Sequence, residues 1–285
     1  MKRIKITLVL LVVGLLLAPG IKAQDIISAT DLNKVMKNDN VVVVSARTPA
    51  DYKKVHITGA VHINLTELYA DKSMLKDAKL MAEIIGKAGV NESMKIVIYD
   101  DGLAKSSGRL YWILSYMGAK DVKVLDGGMK AWRASRKPVT KNPTKVTAAT
   151  FTTSLNKEIY ASMDLVKKAI GNSSYLIVDA RTSEEFSGAK AEDVRPGHIP
   201  SAINLDFTKL LKESGELKSN AELQAIFEVA GMSKDKDIIL YCKSGVRAGI
   251  VFLALKSALN YPSVRIYDGA YLEWSSVGFN NVETD

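Results

Sequence analysis

The chain has 285 residues, 47% of them hydrophobic and 25% charged. These proportions exclude a disordered, collagen-like or multi-span membrane protein, and the length suits one large domain or two of ordinary size. Lys and Arg total 39 against 31 Asp and Glu, a formal charge of +8, but no basic stripe interleaved with aromatics appears, which argues against a nucleic-acid partner.

Residues 1–23 contain Lys2, Arg3, Lys5 and Lys22 and no acid, with an apolar run from Ile6 to Leu17 followed by Pro19, Gly20 and Ala23. A basic start, an apolar middle and a small residue at the end form the layout of a secretory signal peptide. The run is shorter than the roughly 20 residues a membrane-spanning helix needs. No stable membrane span is therefore expected, and the mature chain should begin near Gln24 in a secreted or periplasmic location. Without this segment 35 basic residues face 31 acidic ones, or +4, a mild attraction for small anions.

Short β-branched runs then alternate with amphipathic ones. VVVV at 41–44, KIVIY at 95–99 and VKVL at 122–125 predict buried strands; Ala78–Lys87 and Leu110–Met117 predict helices. The stretch 136–150, rich in Pro, Lys and Thr, predicts a linker between a domain at 24–135 and another at 151–285. The second series has strands YLIVD at 175–179, AINL at 202–205, DIILY at 237–241 and VRIY at 264–267, with helices over Ala221–Ala230 and Val246–Leu259. Strand–helix alternation predicts α/β domains with parallel sheets covered on both faces.

The two series match. VVVSAR (42–47) parallels LIVDAR (176–181), and HITGAVHINL (56–65) parallels HIPSAINL (198–205). KIVIYDDG (95–102) parallels DIILYCKSG (237–245), and LDGGMKAW (125–132) parallels YDGAYLEW (267–274). Four separated blocks in the same order mark a domain duplication. The copies differ after KIVIY and DIILY, where the first has Asp100 and the second has Cys242, the sole cysteine. Ligands of open α/β sheets bind at the carboxyl ends of strands, so the thiol sits at a functional edge. Lys243, Arg247 and a following helix N-terminus favour its thiolate, and Gly245 permits a tight turn.

With VDAR, RPGHIPSAINL, CKSGVRA and YDGAYLEW in this order, the mature chain resembles the tandem-domain rhodanese (thiosulfate sulfurtransferase) family. The resemblance implies two rhodanese-like domains, each a parallel five-stranded sheet flanked by helices, the first non-catalytic and the second catalytic. It implies that Cys242 takes sulfane sulfur from thiosulfate and passes it as a persulfide to cyanide or a thiol, without a metal or any other cofactor. Arg247 and Lys243 are the candidates for holding the sulfonate, with Arg181, Ser244 and Gly245 completing the substrate site; Asp179 is expected to orient Arg181 or the loop. The site is expected in the cleft between the domains of a monomer. A protein is the alternative sulfur acceptor.

Ser244 departs from the thiosulfate-type loop and keeps 3-mercaptopyruvate as an alternative donor, with His56 as a candidate partner from the first domain. A non-enzymatic sulfur carrier would use the same loop. A cysteine phosphatase is disfavoured, because such enzymes place five residues between Cys and Arg where this loop places four. His56 and His198 recur in both copies and are expected to be structural, and Trp112, Trp132 and Trp274 are expected in the core or at the domain boundary. Asp100 and Asp101 are expected to cap the following helix or bond the linker.

Overall fold

A computed structural model describes residues 25–71, 74–190 and 194–285; the expected signal peptide lies outside them. The first domain runs β1 (Ile26–Ile27), α1 (Ala29–Val35), β2 (Val41–Ser45), α2 (Pro49–Lys54), β3 (His56–Ile57), β4 (Val61–His62), α3 (Ala78–Lys87), β5 (Lys95–Tyr99), α4 (Lys105–Met117), β6 (Asp121–Leu125) and α5 (Gly128–Ala134). After β7 (Val139–Thr140), the second runs β8 (Tyr160–Ala161), α6 (Met163–Ala169), β9 (Tyr175–Asp179), α7 (Ser183–Ser187), β10 (Ile203–Asn204), α8 (Asn220–Val229), β11 (Asp237–Tyr241), α9 (Ala248–Leu253), β12 (Val264–Tyr267) and α10 (Ala270–Ser276).

Each domain holds one parallel five-stranded sheet, in the order β1-β6-β5-β2-β4 and, correspondingly, β8-β12-β11-β9-β10. The longer strands carry continuous apolar runs because helices cover both sheet faces. Two-residue edge strands complete both sheets. One hydrophobic core passes from the first sheet through α4 and α9 into the second, and separate clusters cover the outer faces.

Two expectations become specific and a third changes. The stretch 136–150 packs along the first domain: β7 pairs antiparallel with β3, and the Ala149 N–H donates to the Gly86 carbonyl. His56 lies in β3, with its ring nitrogens 2.8 Å and 3.1 Å from the carbonyls of Tyr52 and Asn142, so it anchors this segment and is no partner for Ser244. The helix expected over Val246–Leu259 begins only at Ala248 and widens to a π-helix over Ala254–Ala258, because Val246 and Arg247 remain in the turn after Cys242. Trp112, Trp132 and Trp274 are fully buried, and the Trp112 indole donates to the Ile159 carbonyl across the domain boundary.

The domains meet in a pseudo-twofold arrangement. α4 crosses α9 with Gly108 against the backbone of Gly249 and Ile250. Asp268 of the second domain accepts the Leu75 N–H at 2.9 Å, and Asp126 of the first accepts the Leu217 N–H at 2.9 Å. Asp126 and Asp268 are 142 residues apart, as are Leu75 and Leu217, the spacing of the repeat. Each domain thus clamps a loop of the other.

Candidate active site

β11 is the central strand of the second sheet, and Cys242 follows it directly, almost fully buried. The loop is fixed by its carbonyls: Cys242 and Lys243 accept the N–H groups of Tyr271 and Leu272 in the first turn of α10, at 2.9 Å and 3.0 Å. The first domain repeats this with Asp100 and Asp101 accepting from Met129 and Lys130. There the Asp100 carboxylate turns back onto its own loop and accepts N–H groups from Gly102, Ala104 and Ser107 at 2.8, 3.3 and 3.2 Å. A buried carboxylate thus fills the first domain's ring of amides and caps α4.

Two of the candidate cations, Arg181 and Arg247, are engaged with acids. Arg181 donates from Nε and Nη2 to Asp179 at 2.6–3.0 Å, and from Nη2 to the Gly197 carbonyl. Its guanidinium also stacks 4.0 Å from the Tyr271 ring. Burial pushes the Asp179 carboxyl up against the pull of Arg181. Arg247 is held bidentately by Glu185, at 2.5 Å and 2.8 Å. Glu185 is delivered by local sequence: Thr182 and Glu185 form the capping box of α7, which fixes that side chain at the start of the helix. Lys243 and Ser244 are partly exposed within the loop.

Burial opposes ionisation of Glu185, but the hydrogen bonds and charge of Arg247 prevail and hold its carboxyl below the usual value of 4.5. A carboxyl depressed by folding contributes stability above its unfolded pKa and loses it as pH falls through the folded one. The stability deficit of Glu185→Gln is therefore expected to be fully present above the ordinary glutamate value and to disappear on further acidification. Thermal melts of both proteins across that range check this; a deficit independent of pH would refute an ionic contribution.

The first domain contributes groups that strand and loop motifs do not reveal. Arg109, on α4, is fully buried. Its Nη2 donates to Asp268 at 2.5 Å, 159 residues away, while its Nε and Nη1 have no well-aligned hydrogen-bond partner among the described residues. Burial opposes the charge, but Tyr69 and Asp268 secure it. Gly245, at φ +78°, admits the guanidinium: a Cβ there would lie 2.7 Å from Nη1. Arg109 therefore lies against the cysteine loop, beneath Tyr69, whose ring centre is 5.6 Å from the guanidinium carbon. The repeat contains a signal for this set, since Arg109 and Tyr69 correspond to Val251 and Leu211. The copies diverge at these positions just as they do at Cys242 and Asp100.

The arrangement is a buried thiol at a strand end, with the ion-paired Arg247 near it and Arg109 of the neighbouring domain against its loop. Such a site can support nucleophilic chemistry on an anion. The rhodanese-like domain family matches residues 28–135 and 162–277. Among curated proteins, the 3-mercaptopyruvate sulfurtransferase of Escherichia coli is 35% identical over 79% of this chain and 82% of its own length. A putative thiosulfate sulfurtransferase of Synechococcus elongatus is 33% identical over 85% and 79%, respectively. The thiosulfate sulfurtransferase of Gallus gallus is 32% identical over 79% and 80%. The solved E. coli 3-mercaptopyruvate sulfotransferase superposes with a TM-score of 0.80 at 32% identity, covering 87% of this chain and 99% of that one. An anaerobic ergothioneine biosynthesis enzyme from Chlorobium limicola shares the fold, with a TM-score of 0.85 at 21% identity over 92% of this chain and 70% of that one. The duplicated sheets, the single thiol at the second strand end and these relatives together place the chain in the rhodanese-like sulfurtransferase family, with two copies of the domain in tandem.

Proposed function

We propose that the protein moves a sulfane sulfur from thiosulfate to cyanide or a thiol acceptor through a persulfide on Cys242. The observation that carries this is the pairing of the two loops. Asp100 projects a carboxylate into a ring of amides, and at the same place in the second domain stands Cys242. A persulfide on Cys242 would extend its outer, negatively charged sulfur by a similar reach. The N–H groups of Ser244 and Val246, counterparts of the Gly102 and Ala104 amides, would then take the role they have towards Asp100.

In this scheme the Cys242 thiolate attacks the outer sulfur of thiosulfate, sulfite departs, and an acceptor then removes the sulfur. Lys243 and the loop amides supply positive potential, and Arg247, Arg181 and Arg109, each ion-paired with an acid, add N–H donors. Gly245 leaves room for the Arg109 guanidinium. No metal or organic cofactor is required. Export by residues 1–23 would place the activity in a periplasmic or secreted setting, where a protein could serve as the acceptor.

3-Mercaptopyruvate is the second donor to consider, on one specific ground. Glu185 neutralises Arg247, which weakens the preference for a dianion over a singly charged donor. Ser244 is compatible with this donor, although His56 is committed elsewhere.

The test is turnover with each donor, using cyanide as acceptor, alongside Cys242→Ser. The substitution is expected to reduce activity at least about 10⁴-fold and to abolish the gain of one sulfur seen by mass spectrometry. Thiosulfate turnover that vanishes in the variant supports the proposal. Turnover confined to 3-mercaptopyruvate replaces the donor, persulfide formation without turnover indicates a carrier, and no persulfide from any donor refutes sulfur transfer.

A further inference from the structure

Three buried polar atoms beside the cysteine loop, the Tyr69 hydroxyl and Arg109 Nε and Nη1, have no well-aligned hydrogen-bond partner among the described residues; the phenol and the guanidinium lie close enough to interact with each other. Buried groups of this kind are normally satisfied, so their concentration at one place points to a ligand with several acceptor oxygens. Arg109 meets the loop at Gly245. Tyr69 follows a 3₁₀ turn at Leu65–Leu68 and forms a bridge with Leu75. The Leu75 N–H is held by Asp268, the same carboxylate that holds Arg109. One side chain of the second domain therefore positions both first-domain donors.

Burial raises the Tyr69 pKa above that of an ordinary phenol; Arg109 opposes the rise, and the charges of Asp268 and Cys242 add to it. The phenol consequently remains protonated and can donate. The corresponding pair in the other half of the pseudo-twofold arrangement, Leu211 and Val251, has no donor, and there the strand ends in Asp100.

We propose that Tyr69 is a catalytic residue of the cysteine-loading step, donating its phenolic O–H, beside Arg109, to an oxygen of the departing sulfite. The proposal rests on the sulfur-transfer scheme above. In that step a bond forms between Cys242 Sγ and the outer sulfur of thiosulfate. The bond between the two thiosulfate sulfurs breaks, and its electron pair leaves on sulfite. No proton or external redox partner is needed. Negative charge concentrates on the leaving group, so a fixed donor stabilises the transition state more than the ground state. Discharge differs: the acceptor attacks the outer persulfide sulfur, the Cys242 thiolate departs, and no oxyanion leaves. Tyr69 acts in one half-reaction only.

Tyr69→Phe in the full chain tests this, because it removes the hydroxyl and keeps the ring over Arg109. Single-turnover loading by thiosulfate, followed by mass spectrometry of Cys242, is expected to slow about 10- to 100-fold. Discharge of fully loaded protein by cyanide is expected to stay within about twofold of wild type, and sulfite is expected to inhibit the variant more weakly. Loading at the wild-type rate overturns the assignment, as does equal slowing of both half-reactions, which would mark a structural role. Wild-type protein that never forms a persulfide would instead remove the sulfur-transfer scheme on which the proposal stands.

Discussion

Arg109→Met is expected to slow sulfur transfer about 100- to 1,000-fold, the range seen when one preorganised donor to a developing anion is removed. The same substitution is expected to destabilise the fold by about 3–5 kcal/mol, because it leaves Asp268 buried without its cation. The two effects can be separated. Asp268→Asn keeps an acceptor for the Leu75 N–H while removing the charge. The double variant Arg109→Met/Asp268→Asn should therefore regain much of the lost stability and none of the lost activity. Thermal melts and donor kinetics on the three proteins check both halves, and an Arg109→Met enzyme with wild-type turnover would exclude Arg109 from the site.

Gly108→Val is expected to lower both stability and activity, although the nearest atoms to a Cβ there belong to the backbone of α9. A Cβ at this position would lie 2.8 Å from the Gly249 carbonyl carbon and 2.8 Å from the Ile250 nitrogen. Both are backbone atoms, so no side-chain rotation relieves the clash, and the added branch forces α4 away from α9. Overpacking of a buried contact costs about 1–3 kcal/mol and sometimes more, enough to lower the melting temperature by several degrees. Activity should fall as well, because Arg109 is the next residue on α4 and its approach to Gly245 depends on the crossing. Gly278→Val is the control, since a Cβ there meets nothing within 4 Å. A Gly108→Val protein that melts and turns over like wild type would show that the close crossing is dispensable.

The two predictions depend on different parts of the chain's information. The strands Lys95–Tyr99, Tyr175–Asp179, Asp237–Tyr241 and Val264–Tyr267 have the bounds their apolar runs predict, as does the helix Ala78–Lys87. Burial on both faces imposes a continuous apolar pattern on a parallel strand, and that pattern is local. The duplication was equally legible, and it located the thiol at a strand end by comparison with Asp100. The edge strands Ile26–Ile27, Val61–His62 and Tyr160–Ala161 were not legible. At two residues each they are too short for periodicity, and they pair because the neighbouring strand presents open N–H and C=O groups.

The charge balance of the site belongs to the tertiary structure. From the loop alone, Arg247 and Lys243 count as two cations facing the substrate. Folding brings Glu185 to Arg247 from 62 residues away, through the capping box of a five-residue helix. It also brings Arg109 to Asp268 across the Gly108–Gly249 crossing. Sequence patterning records which residues must leave water, because burial acts on each element separately. It does not record which buried charges meet, because that depends on how closely two helices approach and on which loop lies over the other domain. The duplicated α/β architecture and the position of Cys242 were therefore present in the linear chain, whereas Tyr69, Arg109 and Asp268 converge only once the two domains have packed.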